Sequence, residues 1–175
     1  MIPARSPDFH DHVCLILNKA LSEEKGACVM SEKELAAKVA RLEAKDEIRE
    51  LTARYCHAVV DGDAERIVSL FCTDGTFRAH TLSPTGHEAL LEFYRGGVGG
   101  QTHKPFIQNH VIDIGERNQA TGRCSVEIRV LQDGVAYTQA GHYHDRYRRE
   151  NGVWKFAERH YVRYHNVPWV QGWEK

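Results

Sequence analysis

The residues whose types and spacing could do chemistry concentrate in the last third of the chain. His142 and His144 form an HxH pair inside the run VAYTQAGHYHDRYRR. Residues two apart on a strand share a face, so both imidazoles can look into one enclosed space and serve as acid and base near neutral pH. On a half-exposed strand they would carry no chemistry. No third ligand stands at a recognisable metal spacing, and no metal is expected. Asp145 falls on the opposite face of the same strand. His160 falls with Trp154, Phe156 and Val162, a packing position, and opposite Arg163. Arg163 could hold a carboxylate or enolate oxygen bidentately, or pair with Glu158. Tyr55 could donate to a developing oxyanion, or simply belong to the core stripe Ile48-Leu51-Tyr55. Asp61, at a helix end, is either turn chemistry or an acid or histidine orienter. His103 precedes a strand and could approach a pocket from a loop.

The elements that must position these residues are legible in the punctuation. Asp133-Gly134 and Asn151-Gly152 are hairpin signals joining three alternating runs, RCSVEIRVLQ, VAYTQAGHYHDRYRR and VWKFAERHYVRYH, because such pairs fit the positive φ of tight two-residue turns. A long antiparallel meander follows. Val126, Ile128 and Val130 share one face of its first strand and would line an apolar pocket. Upstream, Ser31 and Glu34 make a capping box. Leu35, Val39 and Leu42 fall on one helical face, and after a break near Lys45 the stripe resumes with Ile48, Leu51, Tyr55 and Ala58. That helix ends near Asp61-Gly62. Asp63 can cap the next helix, whose buried stripe is Ile67, Leu70 and Phe71. A strand at 75–80 follows, then a helix opened by a Thr85–Glu88 box, the loop GGVGG and a strand at 106–114.

The chain has 175 residues and a formal net charge of -1. The length suits one domain with its own core, and the charge gives no footprint for nucleic acid. No apolar run could span a bilayer, no secretory signal is visible, and a cytoplasmic location is expected. The five cysteines are widely spaced without a CxxC and read as reduced thiols, with Cys56, Cys72 and Cys124, in apolar runs, as buried packing residues. Residues 1–30 read as an N-terminal extension, loosely ordered, and 31–175 as the domain.

The segments IRELTARYCHAVVDGDAERIVSLFCTDGTF, GHEALLEFYR, FIQNHVIDI and HYHDRYRRENGVWKFAERHYVRYH together resemble the SnoaL-like (polyketide-cyclase-like) branch of the NTF2-like superfamily, which includes scytalone dehydratase, bile acid 7α-dehydratase and hexachlorocyclohexane dehydrochlorinase. The resemblance implies an α+β fold: a cone of one curved sheet wrapped around helices, with an internal pocket, in a homodimer or homotrimer. The family's dehydratases use an Asp–His pair. Those positions fall on Val60 and Pro105 here, beside Asp61 and His103, and a second aspartate falls on Ile128, beside Glu127. Tyr55 and Arg163 match family positions directly. Alignment parity puts Asn109 inward and His110 outward, and places Ala79, with His80 beside it, where a ketosteroid isomerase holds its base.

The expectation is a cofactor-free lyase or isomerase acting on a small, largely apolar oxygenated molecule. Tyr55 and Arg163 would stabilise negative charge. His142, or His103 with Asp61, would move the proton. Val60, Pro105, Ile107, Asn109, Val126, Ile128 and His144 would line the pocket. The alternative is a non-catalytic small-molecule-binding module or dimerisation subunit.

Overall fold

The computed structural model describes residues 30–98 and 103–171. The expected extension up to residue 29 and the end of the GGVGG loop lie outside them. At the first described helix the capping box forms. The Glu34 carboxylate accepts from the Ser31 backbone N–H at 2.8 Å and from its hydroxyl at 2.9 Å, while the Glu34 N–H donates to Ser31 Oγ at 3.2 Å. Helix α1 then runs Glu32–Asp61 without interruption. The break expected near Lys45 is absent, because Glu43-Ala44-Lys45 are good helix formers and only the apolar phase changes there. Ala44, Ile48, Leu51, Thr52, Tyr55, Ala58 and Val59 are its buried residues, spaced as one helical stripe. Leu35, Val39 and Leu42 are exposed.

Gly62, at φ +70, ends α1 in the left-handed conformation that glycine adopts without a Cβ penalty. Asp63 caps α2 (Ala64–Ser69) by accepting from the Arg66 N–H at 2.9 Å. The chain then enters β1 (Phe71–Ala79) at once, so Phe71 belongs to the strand and not to the preceding helix. Before α3 (Gly86–Phe93) the Thr85 side chain makes no cap; its hydroxyl meets that of Thr76 at 3.0 Å. Tyr94–Val98 continue as a π-helical turn.

The remaining strands are β2 (His103–Ile114), β3 (Gln119–Gln132), β4 (Val135–Glu150) and β5 (Val153–Pro168). They form one open mixed sheet in the order β1-β5-β4-β3-β2, with β1 parallel to β5 and every other pair antiparallel. Both hairpins turn where the sequence signals them, with φ +50 and +78 at Asp133-Gly134 and +54 and +82 at Asn151-Gly152. Tyr55 of α1 packs edge-on against Phe71, Tyr143 and Phe156, which sets helix α1 against the inner face of β1, β4 and β5.

Three bulges, one on β2 and two on β5, decide which side chains of those strands look inward. On β2, Gln108 pairs with Ser125 and Val111 with Arg123, so Asn109 and His110 together oppose Cys124. On β5, Ala157 is the extra residue between Phe156 and Glu158, and Tyr164 between Arg163 and His165. Each bulge reverses the inward–outward alternation of everything after it. Among the described residues no helix is long and apolar enough to cross a membrane.

Candidate functional site

The inward face of β4 presents Tyr143, Asp145 and Tyr147, all buried. After the Ala157 bulge, β5 turns Arg159 and Tyr161 inward beneath them. Arg159 and Asp145 form a bidentate pair, Nε to Oδ1 at 3.0 Å and Nη2 to Oδ2 at 2.9 Å, with neither side chain exposed at all. Among the described residues Arg159 Nη1 has no hydrogen-bond partner. Aromatic faces take that role: the guanidinium carbon lies 4.0 Å from the ring centre of Tyr143 and 4.3 Å from those of Tyr55 and Phe156.

The carboxylate of this pair is the base of a relay. The Tyr147 hydroxyl donates to Asp145 Oδ2 at 2.8 Å, and His110 Nε2 lies 3.1 Å from the same hydroxyl. Tyr147 has one proton, and it goes to the carboxylate. His110 Nε2 must then be the donor, which leaves the lone pair on Nδ1. Burial pushes the His110 pKa down to about 4; the charge of Asp145 opposes this, while Arg159 and Arg49 reinforce it. The imidazole is therefore neutral at neutral pH. Gly122 makes the contact possible: a Cβ there would stand 2.9 Å from Tyr147 Cε2 and 3.0 Å from both His110 Nε2 and Tyr147 Oη.

His110 opens onto a groove of about 750 Å³ between α1 and the edge strand β2. Val60, Pro105, Ile107 and Asn109 line it as well, together with Thr52 and Cys56 from the helix. Its walls are mainly apolar, and Val60 and Pro105, onto which the resemblance places the family's Asp–His pair, both line it.

The other expected residues lie elsewhere. Tyr55 is in the aromatic core, its hydroxyl 3.0 Å from that of Tyr94, and burial pushes its pKa up to about 12; it does not line the groove. His142 and His144 do not face inward: they lie on the opposite face from Tyr143 and Asp145, because the helices cover the other parity of β4. There His142 Nε2 meets His144 Nε2 at 2.6 Å and His142 Nδ1 meets the Tyr164 hydroxyl at 2.5 Å. His160 joins this outer cluster, 6.3 Å from His144 ring to ring, since the Ala157 bulge moves it off the face of Trp154 and Phe156. Among the described residues His142 and Tyr55 lie on opposite faces of the sheet and line no common groove. Asp61 is exposed and ion-paired with Arg66 at 3.0 Å. Arg163 is exposed on β5. His103 opens β2, half-buried, with burial lowering its pKa, and the groove's lining on this strand begins only at Lys104. Val126 and Ile128 are buried in the core on the inner face of β3. His110, and not only Asn109, enters the groove, because the bulge breaks the parity that would have sent it outward.

Spacing alone does not single out His110, Tyr147 or Arg159. The available signal is Asn109, a residue type that tolerates φ near +54 in the middle of a strand. Donor atoms of His110, Cys124 and Asp145 lie within 4.8 Å of one another. The donor set opposes a divalent cation, since both Asp145 oxygens are engaged, the Arg159 charge sits beside them, and burial pushes the Cys124 thiol up to about 11.

No curated protein matches the chain. Among solved structures, the hexachlorocyclohexane dehydrochlorinase LinA-type3 of Novosphingobium barchaimii is 18% identical over 75% of this chain and 93% of its own, with a TM-score of 0.69. An NTF2-like protein with a cystatin-like fold from Novosphingobium aromaticivorans is 24% identical over 78% of this chain and 92% of its own, with a TM-score of 0.67. A point variant of Rv3472, a protein of unknown function from Mycobacterium tuberculosis, is 21% identical over 77% of each chain, with a TM-score of 0.65. These likenesses establish the fold. The model of the SnoaL-like domain matches residues 40–160, more than half of the sequence and all of the groove and relay. With helices against one open mixed sheet and this match together, the chain belongs to the SnoaL-like family.

Proposed function

We propose that this protein is a lyase or isomerase that moves a proton on a small, largely apolar, oxygenated molecule held between α1 and β2. The observation that carries the reading is His110, neutral, lining the groove and braced by Tyr147, Asp145 and Arg159 in one hydrogen-bonded chain. The base in this reading is His110, in place of His142.

Nδ1 would remove a proton from carbon next to a carbonyl or a leaving group. The electron pair left behind either enters the carbonyl to give an enolate or expels the leaving group as an alkene forms. In isomerisation His110 returns the proton to another carbon. In elimination it releases the proton to solvent with the departing anion. The imidazolium formed on the way would donate through Tyr147 toward the Asp145 carboxylate, the same logic by which a buried acid orients a catalytic histidine. An imidazole of such low basicity suits an already activated C–H. One structural neighbour is named as a dehydrochlorinase, an elimination, which supports the reaction class.

The test is deuterium uptake. A panel of small ketones and β-substituted carbonyl compounds is incubated with the protein in D2O and followed by proton NMR. Catalysed exchange or elimination is expected, falling by about 10²–10⁴-fold in His110→Gln, the usual contribution of a positioned base. Turnover of a found substrate at the wild-type rate by His110→Gln would overturn the assignment. The second reading, a binding module without turnover, is favoured by the apolar side chains Val60 and Pro105 at the dyad positions. Saturable binding with no exchange across the panel would select it.

A further inference from the structure

The groove has a charge bias that its apolar walls hide. Arg49 and Lys104 line it, and no aspartate or glutamate does, in a chain whose formal net charge is -1. Neither cation makes a hydrogen bond or ion pair among the described residues. The neighbours of Arg49 on α1 are engaged: Arg54 pairs with Glu50 at 2.8 Å, Glu47 is taken by Arg149 at 2.5 Å, and Arg41 reaches the Ile114 carbonyl. Arg49 is thus an unspent guanidinium at the edge of a pocket. Arg49 and His110 line the same groove, and the Arg49 charge acts on that imidazole. From Arg49 to Val60 the helix advances about 16 Å at 1.5 Å per residue, and Ala53, Cys56, Val60, Pro105 and Ile107 give this stretch a largely apolar wall, which His57, Thr52 and Gln108 interrupt.

We infer that the groove takes an amphipathic organic anion, a carboxylate on a ring or short hydrocarbon body, with the carboxylate on Arg49 and the body along the apolar stretch. The inference rests on the proposed reading of the groove and narrows its substrate class. A guanidinium matches two carboxylate oxygens at once, whereas a neutral ketone would leave it with water. The arrangement also couples binding to the base. Burial is the main cause that holds the His110 pKa down, followed by the charges of Arg159 and Arg49; a carboxylate on Arg49 cancels the last of these, so the imidazole becomes a somewhat better proton acceptor when a substrate of the right charge is present.

The experiment compares 2-naphthoate with its neutral isostere 2-naphthamide by calorimetric titration of the full chain at low salt. The expected result is that the acid binds at least about tenfold more tightly than the amide, as an added charge-assisted contact gives, and that salt weakens this preference. Arg49→Gln should abolish the preference while leaving the Kd of the amide within about twofold, and Lys104→Gln should keep it. Equal affinities in the wild type, or a preference that survives Arg49→Gln, would overturn the inference. A proton NMR titration of His110 adds a readout: its pKa should rise on naphthoate binding and not on naphthamide binding. Because binding is measured without turnover, the two readings fail separately. Loss of turnover in His110→Gln with equal probe affinities removes the anion site and keeps the base. A clear preference with undiminished His110→Gln turnover does the reverse.

Discussion

Asp145 and Arg159 are at zero exposure, where a lone charge costs far more than a pair. Each is there only because the other is, and the three ring faces around the guanidinium replace part of the water it lost. Asp145→Asn keeps the shape and removes the countercharge, so it should destabilise the fold by about 3–5 kcal/mol, the usual effect of orphaning a buried ion. Joint replacement of Asp145 by Leu and Arg159 by Met should cost much less. Urea unfolding of Asp145→Leu, Arg159→Met and the double variant measures the coupling, and additive losses would refute it. Gly122 is a residue of the opposite kind, valuable for what it lacks. Its backbone angle is open to any residue, so Gly122→Ala strains no turn, yet its Cβ enters the space of His110 Nε2 and the Tyr147 ring. Separating these two by a fraction of an ångström should lower turnover by on the order of 10²-fold. Stability should change far less than in Asp145→Asn. Unchanged turnover in Gly122→Ala would detach the relay from the chemistry.

At the scale of elements, local chemistry speaks clearly and parity does not. The Ser31–Glu34 box, the Asp63 cap and the two hairpins depend on residues a few positions apart, and each forms where its signature stands. The inward face of a strand depends on every residue before it, and a single bulge inverts it. Ala157 is why Arg159 is in the core and His160 outside, and nothing in Phe156-Ala157-Glu158 announces it. Alternation alone puts Asp145 opposite the HxH pair, as the structure has it; which of those faces the helices cover is a tertiary matter that no strand pattern encodes. Asn109 is the exception with a local signature. With φ +54 it holds the bulge that turns His110 into the groove. Asn109→Gly should leave stability nearly unchanged, whereas Asn109→Val should cost about 1–2 kcal/mol, the left-handed penalty of a residue with a branched Cβ. Comparing the urea midpoints of the two variants tests this. Equal midpoints would mean the bulge is held by the ladder on either side and not by the residue in it.

For the whole molecule, the relay imposes a pH dependence whose sign is fixed. The folded His110 pKa is about 4 against an ordinary 6.5, so as pH falls the unfolded chain binds this proton first. Stability from a neutral buried histidine is complete above about 6.5, declines as pH falls from there toward 4, and changes no further below that. His103 and His142 are lowered in the same direction, also chiefly by burial. The exposed carboxylates Asp74 and Glu65, held down by hydrogen bonds from Arg148 and Arg95, also favour folding at higher pH. Their contribution is lost only as pH falls below the ordinary carboxylate range and through their lowered values. The interval between about pH 6.5 and 4.5 therefore isolates the histidines. Urea midpoints near pH 7.5 and near pH 5 should fall together for the wild type, and by a smaller amount for His110→Gln, whose amide takes up no proton in this range. Equal falls in the two proteins would mean that His110 is as open to protonation when folded as when unfolded. That result would remove the burial on which its proposed role as a neutral acceptor depends.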